Sequence, residues 1–288
     1  MIEKYFNKDL DPFLEKMKET IFEAYQNDVG NGDITTEAIV KPIIIKAIIK
    51  SKENGILAGV YEVRSLFEKL GINVKLFFDD GDEIEKNYIV MELEGDVRKI
   101  FQAERTALNF ITRLSGIATE THKIASKTKL KVAATRKTLF TFNDKRAVTL
   151  GGGYTHRLGL FDQYLIKDNH ISAVQKELNC NRTEAIRECV RRAKKNNDRG
   201  IEIEVENFDE AMTAAEEKPD MILLDNMKVG DMKKVVEKLK GSNIILEASG
   251  GITLKNIKEI EKSGVDIVSC GYITNSSKPL DMTLEVII

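Results

Sequence analysis

Between residues 131 and 271 short apolar runs recur six times, and this recurrence constrains the fold more than any other feature of the chain. The runs are "KVAAT" (131–135), "QYLIK" (163–167), "IEIEVE" (201–206), "MILLD" (221–225), "NIILEA" (243–248) and "VDIVSCG" (265–271). Helical segments separate them. One covers Arg182–Asn197, with Asn181 and Glu184 at capping-box spacing and Ile186, Cys189, Val190 and Ala193 on its apolar stripe. Alternation of strand and helix builds right-handed βαβ units and a parallel sheet. Each run ends in polar residues, which favours closure toward a barrel over an open sheet, and no GxGxxG follows any strand.

The N-terminal third has a different texture. Leu14, Met17, Ile21, Ala24 and Tyr25 recur at helical spacing between Pro12 and Tyr25, and a second helical stretch covers Glu62–Leu70. Strand-like runs lie around Lys46–Ser51, Asn73–Phe78 and Tyr88–Glu94, separated by loops such as "DDGDEIEKN". This predicts an α+β region without a catalytic constellation. A long helix over Gln102–Thr128, with Ala107, Phe110, Ile111, Leu114 and Ala118 on one stripe, leads into the first strand of the alternating part.

A net charge of −2 over 288 residues gives no sign of a nucleic-acid or membrane-surface protein. Cys180, Cys189 and Cys270 have neither CxxC nor metal-site spacing, and their odd number argues against a disulfide framework. The opening "MIEKYFNKDLDPF" is too charged for a signal peptide, and "IVKPIIIKAIIK" is interrupted by lysines and a proline. A reduced, cytoplasmic protein is expected.

In a barrel of this kind chemistry gathers at the C-terminal ends of the strands. There the sequence places Thr135–Arg136–Lys137–Thr138 first, then His156–Arg157 in a loop, then Lys167–Asp168–Asn169–His170. The third strand carries Glu202, Glu204 and Glu206, and the fourth ends in Asp225–Asn226. The fifth ends in Ser249–Gly250–Gly251 and the sixth in Gly271. Cations come from early units and carboxylates from middle ones. A Ser-Gly-Gly turn opening a helix from a late unit can offer backbone N–H groups to a phosphate. Carboxylates alternating on one strand face must be either exposed or partnered, because in a central strand one face points into the barrel and unpaired charge there is costly.

The segments "AERTALNFITRLSGIATET", "ATRKT", "GGGYTHRLGL", "LIKDNHI", "IEIEVEN", "ILLDNM", "LEASGGI" and "GVDIVSCGYIT", with "GNGDITT" upstream, occur in one order over roughly residues 28–281. In order and spacing they resemble the quinolinate phosphoribosyltransferase family. The resemblance implies an α/β protein with an N-terminal α+β open sandwich domain, residues 1–105 joined by the C-terminal segment 275–288. An incomplete, about six-stranded α/β barrel follows over 106–274. It implies a transferase that moves the phosphoribosyl group of phosphoribosyl pyrophosphate (PRPP) to quinolinate with loss of CO2, on the route to NAD. It implies Mg²⁺ carried mainly by PRPP, and a homodimer with shared active sites. Arg136, His156 and Arg157 would hold the quinolinate carboxylates, while Lys137 and Lys167 would face carboxylate and pyrophosphate charge. Glu204 and Asp225 would contact the ribose hydroxyls or the metal, and Ser249, Gly250 and Gly271 the 5′-phosphate. Arg105 would reach in from the neighbouring subunit.

One departure stands out. Where the family continues after "TRKT" with a Pro-Gly turn and an arginine, this chain reads "TRKTLFTFNDKRAV", about two residues shorter and without that turn. Arg146 or Lys145 is the available replacement for the absent charge. Two other readings share parts of the pattern: a paralogous, molybdenum-transport-associated member with a different acidic substrate, and an aldolase-like barrel with Lys167 as a Schiff-base amine. The intact "KDNH" favours the quinolinate enzyme over the first, and the surrounding arginines disfavour the second.

Overall fold

The computed structural model describes residues 2–196 and 199–287. The chain forms two compact units. One consists of Asp9–His122, Thr138–Gly152 and the described residues from Ser276 onward; the other of the described residues up to Lys8, Lys123–Lys137 and Gly153–Asn275.

The first unit is built on an antiparallel sheet. Its strands are β1 (Ile44–Ser51), β3 (Asn73–Leu76), β5 (Ile89–Asp96) and the C-terminal strand Met282–Ile287, with β1 and β5 at the centre. The short strands β2 (Gly55–Ile56) and β4 (Glu83–Ile84) pair separately. Period-2 alternation puts Ala47, Ile49 and Ser51 of β1 inside. On the opposite face Lys46 meets Glu92 at 3.1 Å and Lys50 meets Glu285 at 2.9 Å, cross-strand pairs that fix register. The predicted N-terminal helix is Leu14–Val29, burying Met17, Ile21 and Tyr25 at i, i+4 spacing. In "GNGDITT", Asp33 caps the helix Ile34–Ile39 by accepting the N–H groups of Thr35 and Thr36.

The long helix runs Val97–Ala125, starting five residues before the predicted Gln102. Strand β5 passes into it directly, because Asp96 accepts the N–H of Arg98 at 2.9 Å and supplies the cap without a loop. Gly116 lies where a Cβ would come within 2.3 Å of the Lys278 carbonyl, so the C-terminal segment can cross the helix only at a glycine.

The other unit is the incomplete barrel. Its parallel strands are β6 (Lys131–Ala134), β7 (Tyr164–Ile166), β8 (Ile201–Val205), β9 (Met221–Asp225), β10 (Ile245–Ser249) and β11 (Ile267–Cys270), in the order β6-β11-β10-β9-β8-β7. All correspond to predicted runs. The helix Arg182–Lys195 has the expected capping box and buried face; its predicted end at Asn197 lies outside the described residues.

The sheet does not close between β7 and β6. There the segment carrying Tyr154 bridges to Ala133 beside β6, and the N-terminal residues Tyr5 and Phe6 join Ala133, Met221, Ile245 and Ile267 in one apolar plug. The Tyr5 hydroxyl donates to Asp220 at 2.6 Å, and the Phe6 carbonyl accepts from His156 N–H at 3.0 Å. Tyr5 and Phe6 thus seal the strand bottoms, and the same contact sets the height of His156. Among the described residues no helix is long and apolar enough to cross a membrane.

Candidate active site

A cavity of about 360 Å³ opens at the C-terminal ends of the barrel strands. Thr135, Arg136 and Lys137 line it from the end of β6, His156 and Arg157 from the segment beside β6, and Lys167 from the end of β7. Glu204 of β8, Asp225 of β9, Ser249 of β10 and Ser269 of β11 complete the wall. Most of the residues expected from the strand ends therefore meet in one pocket, with cations on one side and carboxylates on the other. A larger hollow of about 490 Å³, lined by Phe208, Lys234, Glu237 and Lys238, has no comparable set of converging groups.

Arg136 is exposed at the rim, whereas Arg157 is 7% exposed. Burial, and then repulsion from Arg136, pulls the Arg157 guanidinium below its ordinary value. Its Nη1 donates to the Gln163 carbonyl at 3.4 Å. Two like charges held this close are relieved by an anion between them.

Lys167 Nζ lies 3.5 Å from Glu204 Oε2, the lysine side chain half-exposed and the carboxylate more sheltered. A Schiff-base lysine is activated in a desolvated pocket or beside another cation, whereas Lys167 is half-exposed beside a carboxylate, which disfavours the aldolase reading. Asp225 accepts from the Asn226 amide at 2.7 Å.

Gly250 and Gly251 both have positive φ, 97° and 59°. A Cβ on Gly250 would fall 2.1 Å from Asn226 Oδ1, so this turn requires glycine for both conformation and space. The turn does not open a helix directly, as the sequence suggested: the next helix is Ile257–Glu261, because Thr253 and Asn256 first close a turn of their own. Gly271 lies close to Lys137 and Thr135, where a Cβ would meet Lys137 Cδ at 3.4 Å.

At the pocket floor two carboxyls stand together, Glu247 among the lining residues and Glu202 not. Glu202 and Glu247 are both 0% exposed. His156 Nε2 lies 3.1 Å from Glu247 Oε2 and 3.5 Å from Glu202 Oε2, while its Nδ1 accepts the Arg157 N–H at 2.7 Å. These side chains offer three ligand atoms within 4.8 Å of one another. With Nδ1 accepting, however, the proton sits on Nε2 and faces the carboxyls, so the group is a hydrogen-bonded stack. Burial, and then the neighbouring Glu247, drives the Glu202 carboxyl well above its usual range. Burial pushes Glu247 up to about 7, with hydrogen bonds from Ser269 and Glu202 holding it back. Oε1 of each carboxyl lacks a hydrogen-bond partner, which a neutral acid tolerates better than an ion.

Several expected groups lie elsewhere. Glu206 is exposed beyond the end of β8 and does not face the interior, because the strand stops at Val205. His170 Nδ1 accepts the Lys167 N–H at 2.9 Å, closing the start of the helix Asp168–Leu178. Gly151 and Gly152 of the "GGGYTHRLGL" segment serve packing and a turn. A Cβ on Gly151 would meet the Ala118 carbonyl at 2.3 Å, and Gly152 has φ 85°. Arg146 does not replace the absent family arginine, since it donates to Asp80 at 2.6 Å beside Glu62, and Lys145 is fully buried. Both belong to the first unit, as does Arg105, which is exposed on the helix Val97–Ala125 and is not among the pocket-lining residues.

Glu247 and Ser269 are the residues that strand-end reading missed. The signal was present: Glu247 stands two residues before Ser249, as Glu202 stands two before Glu204, so alternation turns each to the same interior face.

Comparison with known proteins gives one consistent answer. Residues 33–115 match the family described as quinolinate phosphoribosyl transferase, N-terminal domain, and residues 117–285 match its C-terminal domain. The chain is 42% identical over 276 residues to the probable nicotinate-nucleotide pyrophosphorylase [carboxylating] of Methanocaldococcus jannaschii, covering 90% of this chain and 93% of that protein. It is 35% identical over 280 residues to the protein of the same name in Bacillus subtilis, covering 94% and 93%. The solved nicotinate-nucleotide pyrophosphorylase from Francisella tularensis superposes with a TM-score of 0.85 at 36% identity, over 95% of this chain and 97% of that one.

Proposed function

The chain belongs to the quinolinate phosphoribosyltransferase family, enzymes of NAD biosynthesis, and from that premise we propose how its own pocket performs the transfer. The observation that carries the reading is the segregation of charge, with Arg136, Lys137 and Arg157 on one side and Glu204 and Asp225 on the other. Quinolinate binds by its two carboxylates between Arg136 and Arg157, with its ring nitrogen turned toward the middle strands. PRPP lies with its 5′-phosphate toward Ser249, Gly250 and Gly271 and its pyrophosphate toward Lys137 and Lys167.

The pyridine nitrogen attacks the anomeric carbon as pyrophosphate departs; the 2-carboxylate then leaves as CO2, and the electron pair left on ring C2 takes up a proton from water to give nicotinate mononucleotide. Positive charge builds on the ribose in the transition state. Glu204 and Asp225 stabilise it by position and charge, so the reaction requires no protein nucleophile. His156 borders the site with both ring nitrogens engaged by the protein, and it serves the clamp through Arg157.

Mg²⁺ enters as part of the Mg–PRPP substrate. Carboxylate oxygens are the hard donors this ion prefers. With Glu204 already beside Lys167, Asp225 is the better placed to meet it. The functional unit is a homodimer in the cytoplasm, in which the partner subunit's Arg105 completes the quinolinate clamp. That arrangement accounts for an exposed arginine of the "ERTALN" motif outside the pocket lining.

The test is turnover of purified protein with quinolinate, PRPP and Mg²⁺, following nicotinate mononucleotide, CO2 and pyrophosphate. Equimolar release of the three products is expected. Another acid replacing quinolinate as the preferred acceptor would overturn the assignment.

A further inference from the structure

The buried carboxyls are connected to the clamp by a closed circuit of contacts. Glu247 Oε2 holds His156 Nε2 at 3.1 Å, and His156 Nδ1 holds the Arg157 N–H at 2.7 Å. The Arg157 guanidinium reaches the Gln163 carbonyl at 3.4 Å, and the Gln163 amide reaches Glu202 Oε2 at 3.4 Å. Glu202 Oε2 lies 3.5 Å from His156, which closes the ring.

His156 needs this support. Its backbone is left-handed, with φ 52°, a conformation that a histidine holds only when its surroundings over-determine it. The Phe6 ring stands edge-on to it at 4.9 Å and the Phe6 carbonyl accepts its N–H, so the ring is fixed from below and from the side. What remains to be fixed is rotation of the imidazole about its own axis. Only a partner at Nε2 distinguishes the orientation that turns Nδ1 toward Arg157 from the flipped one.

We propose that Glu247, seconded by Glu202 and Gln163, is a positioning residue of the quinolinate clamp: it sets the His156 tautomer and orientation, and through them the place of Arg157. This rests on the reading of the pocket as the dicarboxylate site. Glu247 borders the cavity with its carboxyl engaged by His156, while Glu202 and Gln163 are not among the lining residues. Their loss acts on the acceptor acid and leaves PRPP binding alone, because Lys137, Lys167, Ser249 and Asp225 lie outside the circuit.

Glu247→Gln and Glu247→Leu separate this role from simple filling of the core. The glutamine keeps an oxygen acceptor for the Nε2–H; the leucine keeps the bulk and removes the acceptor. Long-range ¹H–¹⁵N spectra of the three histidines, with His156 assigned by substitution, report the tautomer directly. Wild type and Glu247→Gln should show His156 as the neutral Nε2–H form and have similar KM values for quinolinate. Glu247→Leu should lose that single form and raise the KM for quinolinate roughly tenfold or more, with the KM for PRPP changed by less than about threefold. If Glu247→Leu does not fold, Gln163→Leu should give the same split between the two KM values: it keeps the main-chain carbonyl that Arg157 uses and removes the side-chain amide that holds Glu202. An Nδ1–H tautomer in wild type, or equal rises in both KM values in the folded variant, would overturn the inference. Failure of wild type to turn over quinolinate would instead overturn the assignment of the site.

Discussion

Lys167 and Glu204 meet at 3.5 Å across the ends of neighbouring parallel strands, and this is the point where the two signs of the pocket touch. Lys167 is half-exposed, so the pair contributes at most ~1 kcal/mol and an incoming polyanion can displace it. In the proposed reaction Glu204 would then be released toward the ribose as Lys167 turns to pyrophosphate. Glu204→Gln and Asp225→Asn should each lower kcat by roughly 100-fold or more while leaving the KM for quinolinate within about threefold. Thermal unfolding of Glu204→Gln should hardly move. Variants with normal kcat and weak quinolinate binding would show that the two carboxylates serve the acceptor instead.

Arg136 and Arg157 offer one cation more than a monocarboxylate needs. Nicotinate should therefore be a poor acceptor, because it leaves a desolvated guanidinium unpaired. Arg136→Ala should raise the KM for quinolinate steeply and narrow its advantage over nicotinate. Parallel kinetics with the two acids measure this, and equal wild-type turnover of both would contradict it.

Gly250 bears on Asp225 through Asn226. A methyl at Gly250 would fall 2.1 Å from Asn226 Oδ1, and the same amide donates to Asp225 at 2.7 Å. Gly250→Ala also places an L-residue at φ 97°. It should cost roughly 1–3 kcal/mol of stability and raise the KM for PRPP, measurable by thermal unfolding and initial rates. Unchanged values for both would mean that the turn relaxes freely.

The buried carboxyls give stability a definite dependence on pH. The Glu247 pKa is raised from 4.5 to about 7 in the folded state, so the native chain binds more protons than the unfolded one in that window. Its contribution is fully present below about 4.5 and is lost as pH rises through about 7. Glu202 and Glu62 are shifted upward as well and act in the same direction. Glu247→Gln removes one titrating group, so its melting temperature relative to wild type should improve as pH goes from 5 to 8. A difference that stays flat across that range would refute the argument.

Mixing Arg105→Ala with Lys137→Ala subunits tests the shared site. Each variant alone should be inactive, whereas a mixed dimer holds one pocket with both residues intact. Random exchange at equal amounts should restore about a quarter of wild-type activity. A mixture that stays inactive after verified exchange would place Arg105 in the service of its own subunit.

Strand-helix alternation, capping boxes and inward-facing residues were legible in the sequence because they depend on neighbours a few positions apart. The six strand–helix units, the helix capped by Asn181 and the cations and carboxylates at strand ends follow from such periodicities. Glu247 was legible in principle by the same alternation, but the adjacent Ser-Gly-Gly drew the motif toward phosphate binding. Arg146 could not be placed from sequence, since its partner Asp80 lies 66 positions away.

The chain by itself therefore determined which elements form and, within each strand, which side chains share a face, since local periodicity decides both. Only the tertiary structure decided how those side chains are used. His156 and Glu247 are 91 residues apart, and a hydrogen bond between them exists only because Phe6, β10 and the open edge beside β6 converge at one depth. Neither the left-handed backbone of His156 nor the direction of its Nε2–H has a local signal, because both are imposed by groups that meet it after the barrel has formed.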